Sequence, residues 1–167
     1  DGSDTRRGAP SIHRLFESQH RKEGRAGSAE GFGASAAILL GDLALVWSAK
    51  MLHESGLEVS QLTSALPIYD ELRVELMAGQ FLDVAEQTMH TSSLERSLKI
   101  ASFKSGKYTI ERPIHFGAAL ANEKNKFEIY SAYGIPLGQA FQLRDDLLGV
   151  FGTSELTGKP SGDDIRE

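Results

Sequence analysis

The chain has 167 residues, 40% hydrophobic and 25% charged, a soluble globular composition long enough for one domain with a sizeable core. Eighteen Lys and Arg against 23 Asp and Glu give a net charge of −5, which argues against nonspecific nucleic-acid binding but leaves room for local clusters of cations. The absence of cysteine excludes a disulfide framework, a cysteine nucleophile and a thiolate metal site.

In chain order, residues 1–10 read as a turn-rich loop, with Gly2, Ser3, Asp4, Gly8 and Pro10. Ser11 is placed to cap a short helix ending near Lys22, and Gly24 to Gly27 form a linker. A long helix is predicted from about Ser28 to Glu54, rich in small residues that allow close helix contact. Its apolar stretch, Phe32 to Met51, is interrupted by Asp42 and Lys50. It therefore reads as a buried helix rather than a membrane span, and no transmembrane segment is expected. A second long helix is predicted from about Ala65 to Met89, with Pro67 in its first turn. Ser93 caps a further helix to about Phe103, and a break is expected near Ser105–Gly106. Helix resumes to about Asn122 with a kink at Pro113, and again over Lys124 to Val150 with a kink around Gly134–Pro136. Phe151 to Asp164 reads as loop. Nothing has the alternation of a strand ladder, so the expected fold class is an all-α bundle. No secretory signal opens the chain, and the expected compartment is the cytoplasm.

Three motifs match in letters only. Gly31-Phe32-Gly33-Ala34-Ser35-Ala36 fits G-x-G-x-x-A, but no strand precedes it, and helix packing explains its small residues better. Gly152 to Lys159 resembles a phosphate loop with one residue too many, and Pro160 stands where Ser or Thr is needed. Glu17 to His20 is a single E-x-x-H where a di-iron bundle needs two, so a surface helix is the better reading.

A fourth pattern carries chemistry. Asp145 and Asp146 follow Phe141-Gln142 on an apolar helix, and Gln142 lies three and four residues before them, on the same face. Adjacent carboxylates are suited to Mg²⁺, which binds through one or two carboxylates and substrate phosphates. A solvated acidic helix end is the alternative from these residues alone. Elsewhere, Arg6-Arg7 offers two forked donors suited to a diphosphate. Lys104-Ser105 places an ammonium beside a hydroxyl, and Gly158-Lys159 with Asp163-Asp164 adds a further cation and carboxylates.

With these motifs in order, the sequence resembles the polyprenyl synthetase family of trans-isoprenyl diphosphate synthases, geranylgeranyl-type members above all. Asp1 resembles the last Asp of the family's first aspartate-rich motif, and Arg6-Arg7-Gly8 its arginine pair. Lys104-Ser105 resembles the K-T element, with Ser for Thr, and Gly79-Gln80-Phe81-Leu82-Asp83 the G-Q-x-x-D element. Phe141-Gln142 with Asp145-Asp146 resembles the second aspartate-rich motif, whose third Asp is here Gly149. The first two Asp of the first motif and an upstream G-K-R element have no counterpart. The resemblance thus identifies residues 1–167 as the central part of a single polyprenyl synthetase domain, a helical bundle of the isoprenoid synthase type incomplete at both ends. It also predicts that these 167 residues alone are inactive.

The resemblance implies condensation of an allylic diphosphate with isopentenyl diphosphate, dependent on Mg²⁺, in a homodimer whose interface comes from the helices near 28–54 and 65–89. It implies metal roles for Asp1, Asp145, Asp146 (through water) and Asp163. Arg6, Lys104 and Lys159 would hold the allylic diphosphate, and Arg7 the isopentenyl diphosphate. Gln80 and Gln142 would line the site and Phe141 would form its wall. Lys104, Gln142, Asp145 and Lys159 make up the catalytic set. His13, His53, His90 and His115 read as structural or surface residues. The alternative function is a noncatalytic or regulatory subunit of the same fold, suggested by Gly149. A terpene cyclase is disfavoured, because Arg7 would then have no purpose.

Overall fold

The computed structural model describes residues 3–91 and 93–153. The expected all-α architecture is present: among the described residues there are six α-helices, one π-helix, one 3₁₀ turn and a two-stranded hairpin. Contacts divide the chain into two units, residues 3–56 with 152–153 and residues 57–151.

The first unit begins with the hairpin, where the sequence had suggested only loop. Strands β1 (Thr5–Arg6) and β2 (Ala9–Pro10) pair antiparallel. Arg7 and Gly8 form the two-residue connection with φ of 52° and 75°, the left-handed pair that matches the twist of a tight hairpin. Helix α1 (Ile12–Lys22) starts at Ser11 as expected. The Ser11 hydroxyl does not cap the helix; it donates to the Asp4 carbonyl at 3.1 Å. Arg14 ties the same corner together, its Nε 2.6 Å from Asp4 Oδ1 and its Nη1 2.6 Å from Glu17 Oε2.

Helix α2 (Ala29–His53) is capped by Ser28, whose Oγ accepts from the Gly31 N–H at 3.0 Å. It packs on α1 through Gly33. A Cβ there would stand 2.2 Å from the His13 carbonyl oxygen, so the G-x-G run is explained by helix contact. Phe32 seals this contact against Phe16 and His20, with ring centroids 6.3 and 5.2 Å away. His20 is itself buried, and its Nε2 lies 3.1 Å from the Ala26 carbonyl. Glu17 and His20 therefore hold structure rather than lie on an open surface. The expectation that α2 is buried is corrected: only Ala29, Gly33 and Leu52 are buried on it. Leu39, Val46 and Trp47 are 60–66% exposed. By length and composition α2 is also apolar enough to cross a membrane.

In the second unit, α3 (Val59–Gln87) starts six residues before the predicted point. Gln61 Oε1 accepts from the Glu58 N–H at 3.2 Å, a cap that opens the helix ahead of Pro67. Pro67 consequently lies inside the helix. Helix α4 (Leu94–Ala101) is capped by Ser93. It runs without interruption into a π-helix, Ser102–Glu111, and then α5 (Arg112–Leu120). The predicted break at Ser105–Gly106 is thus a change of winding within one continuous helical path. Pro113 is the second residue of α5, directly after the π-helix. A 3₁₀ turn, Lys124–Lys126, leads into α6 (Phe127–Phe151). Ala65 and Ile68 of α3 and Ala119 of α5 form the buried core, packed by Phe116, Leu120 and Phe127. The predicted loop to Asp164 lies outside the described residues beyond residue 153.

Candidate active site

The site is built where the π-helix is held between α3 and α6. Three glycines set the spacing. A Cβ on Gly79 of α3 would stand 2.9 Å from the Lys104 backbone nitrogen, and one on Gly138 of α6 would stand 2.2 Å from the Gly106 Cα. Gly106 in turn has the Ile135 carbonyl oxygen 3.3 Å from its own Cβ position. With no side chain at these points the backbones touch, and neighbouring residues can reach across.

Lys104 reaches α3, its Nζ 2.6 Å from Asp83 Oδ2, with both side chains about one-third exposed. The buried Ser105 donates its hydroxyl to Gln142 Oε1 on α6. Gln142 then donates from Nε2 to Asp146 Oδ1 at 2.7 Å. One turn earlier Gln139 Nε2 donates to Ser102 Oγ at 2.6 Å. The chain of contacts from Ser105 through Gln142 to Asp146 orients one member of the aspartate pair. Asp145 and Asp146 are both exposed. Leu143, Leu147 and Val150 line an open apolar depression of about 390 Å³ beside Asp146.

Gln142 and Asp146 are therefore joined through Ser105 in one hydrogen-bonded chain, Asp145 adjoins Asp146 on α6, and Lys104, next to Ser105 on the π-helix, is paired with Asp83 on α3. Gln80 is exposed on α3 beside Gly79, and Phe141 is 54% exposed on α6. Arg6 and Arg7 are exposed on the hairpin of the first unit. Asp1, Lys159 and Asp163 lie outside the described residues. No group of three or more His, Cys, Asp or Glu side chains that could hold a metal occurs among the described residues. The donors present, two exposed carboxylates on one helix, suit a hard cation that completes its shell with water and substrate oxygen.

Sequence reasoning undervalued Asp83, whose spacing from Gln80 alone suggests an exposed helix face. It also missed the second layer behind the π-helix. Glu75 of α3 accepts from Arg112 Nε at 2.7 Å and from Arg112 Nη2 at 2.9 Å, and it also accepts from Lys107 Nζ. Burial raises the Glu75 carboxyl, but the hydrogen bonds from Arg112 and Lys107 outweigh it and hold the group below the usual glutamate range. Arg112 also reaches Glu71 at 2.9 Å. Its Nη1 lies 3.3 Å from His115 Nδ1. A guanidinium only donates, so Nδ1 accepts and the His115 proton sits on Nε2, directed at the Phe127 carbonyl 3.0 Å away. His115 is 3% exposed and stacks on Phe127, a structural role as expected. The local hint of this layer in the sequence is the set of charges at Lys104, Lys107, Glu111 and Arg112 along residues 102–112.

Fold and site together define an all-α protein that gathers an ammonium, a hydroxyl, an amide and a carboxylate on three facing helices. The profile of the polyprenyl synthetase family matches residues 1–167, and the chain belongs to that family. It is similar to the (2E,6E)-farnesyl diphosphate synthase of Mycobacterium tuberculosis, 36% identical over 81% of this chain and 37% of that protein. It is similar to the geranylfarnesyl diphosphate synthase of Aeropyrum pernix, 29% identical over 99% of this chain and 48% of that one. Among solved structures it matches geranylgeranyl pyrophosphate synthase from Corynebacterium glutamicum, complexed with isoprenyl diphosphate and magnesium. That match has a TM-score of 0.94 and 46% identity, over 98% of this chain and 46% of that one. The chain therefore spans less than half the length of these relatives. Because the structural match covers nearly the whole chain, α2 is assigned to the helical fold of the family.

Proposed function

We propose that the complete protein to which this chain belongs is a polyprenyl diphosphate synthase of geranylgeranyl type. It joins an allylic diphosphate to isopentenyl diphosphate in the presence of Mg²⁺. The observation that carries this reading is the arrangement of Lys104 and Ser105 on a π-helix, a winding often found at functional sites, between Asp83 on one side and Gln142–Asp146 on the other. The family and the relatives named above support it.

In this reading Lys104 supplies positive charge to the allylic diphosphate, and Arg6 does the same from the hairpin. Arg7 holds the isopentenyl diphosphate, with its guanidinium fork matched to phosphate oxygens. Asp145 and Asp146 would hold Mg²⁺, together with Asp1 and Asp163. The bound metal supplies Lewis-acid charge to the leaving diphosphate oxygens. Gln142 keeps the Asp146 carboxylate aimed while its own carbonyl is held by Ser105. The allylic C–O bond breaks with its electron pair leaving on the diphosphate. The isopentenyl double bond then forms the new C–C bond, and a proton is lost from the adjacent carbon. Phe141 and the apolar face of α6 exclude water from the cationic carbon. Lys159 adds a further cation to the allylic diphosphate, and Gln80 lines the site.

The exposed apolar residues on α2 and α3, Trp47 at 60% and Phe81 at 72% among them, support assembly as a homodimer. Such surfaces are rarely left open to water. The cytoplasm is the compartment where these water-soluble substrates would be met. Incubating the complete protein with labelled isopentenyl diphosphate and allylic diphosphates of increasing length tests the reading. A longer prenyl diphosphate whose formation stops with a chelator and returns with Mg²⁺ is expected. No elongation of any allylic diphosphate would overturn it.

A further inference from the structure

A π-helix of ten residues is uncommon, because π winding normally occurs as a single turn. Something outside the segment must favour it over the α winding of α4 and α5 on either side. The contact that distinguishes the two windings is made by Glu75. Residues five apart stand about 140° apart around an α-helix, on nearly opposite faces. In a π-helix they are joined by the i→i+5 hydrogen bond and lie above one another. Lys107 and Arg112 are five apart, and the Arg112 N–H donates to the Lys107 carbonyl, closing the last π turn. The side chains of these same two residues meet on the Glu75 carboxylate. The π winding presents both side chains to one carboxylate on α3.

The same stripe of α3 continues to the site. Glu75, Gly79 and Asp83 follow at intervals of four, on one face. Glu75 touches Lys107 and Arg112, Gly79 abuts Phe103 and Lys104, and Asp83 binds Lys104. Changing the winding at the Glu75 end would rotate Lys104 and Ser105 away from Asp83 and Gln142.

We propose that Glu75 is a positioning residue that locks residues 102–111 in the π winding, and so fixes where Lys104 meets the diphosphate and where Ser105 meets Gln142. The role in turnover rests on the function proposed above; the lock itself does not. The charge of Glu75 is the essential property: both carboxylate oxygens accept from the two cations, whereas a neutral amide keeps one acceptor oxygen and turns an NH₂ donor toward them.

Two measurements on the complete protein test this. In Glu75→Gln, amide hydrogen exchange across residues 102–112 is expected to accelerate about tenfold or more, while exchange in α2 stays unchanged. The same variant should lower kcat/KM for the allylic diphosphate about tenfold and leave KM for isopentenyl diphosphate within about twofold. Lys107→Gln removes one arm of the grip and should accelerate exchange over the same residues; it decides the matter if Glu75→Gln does not fold. Unchanged exchange in a folded variant overturns the lock. Faster exchange with unchanged allylic kcat/KM overturns the positioning role. If the unaltered protein elongates nothing, the proposed function fails, and the exchange result still decides the lock.

Discussion

At the scale of single residues, the side chain around which the site turns is Lys104. Its ammonium is held by Asp83 at 2.6 Å with both groups one-third exposed, so water screens the pair and a more highly charged diphosphate can replace the carboxylate. Lys104→Ala is expected to reduce kcat/KM for the allylic diphosphate about a hundredfold, a loss of about 2.7 kcal/mol of transition-state stabilisation. Steady-state kinetics with isopentenyl diphosphate saturating would check this. Glu75 makes the corresponding prediction for pH. Burial pushes its carboxyl up, the bonds from Arg112 and Lys107 more than reverse this, and the net position is below normal. A carboxyl lowered on folding stabilises the protein fully above its unfolded pKa and loses that contribution as pH falls through the folded value. Stability should therefore decline below about pH 4, and Glu75→Gln should flatten the decline. Urea unfolding between pH 3 and 6 reads both slopes; equal slopes would contradict the assignment.

At the scale of elements, close backbone approach decides the packing. Gly138→Ala would place a methyl 2.2 Å from the Gly106 Cα, a contact that backbone must move to relieve. A destabilisation of about 1–3 kcal/mol or more is expected, read as a lowered urea midpoint, with Gly117→Ala harmless because no atom lies within 4 Å of its Cβ position. Much of this architecture was legible from local chemistry. Ser11, Ser28 and Ser93 mark three helix starts, and the positions of Gln142, Asp145 and Asp146 on α6 follow from helical spacing. Pro67 misled the reading of α3, because the Glu58–Gln61 cap lies ahead of it and the helix continues through the proline. The π-helix was not legible, and Ser105–Gly106 looked like a break. The partners packed on it, Glu75, Gly79, Gly138 and Gln142, lie 25 to 37 residues away in sequence from Lys107, Lys104, Gly106 and Ser105. Local propensity carries no information about such partners.

At the scale of the whole molecule, α2 is an apolar helix with little buried surface, and the homodimer proposed above would cover it. Leu39, Leu43, Val46 and Trp47 follow one another at helical spacing on α2 and are 38–66% exposed. The complete protein is expected to sediment as a dimer, and Trp47→Glu to shift it toward monomer; a monomer before substitution would contradict the proposed assembly. The central claim is that the aspartate pair on α6 serves a metal-assisted prenyl transfer. It is tested most directly by incorporation of labelled isopentenyl diphosphate by the complete protein carrying Asp145→Ala, against His90→Ala, a change at an exposed residue outside the site. The account predicts that Asp145→Ala lowers Mg²⁺-dependent turnover by about a hundredfold or more and that His90→Ala leaves it unchanged. Equal turnover by the two variants would contradict it.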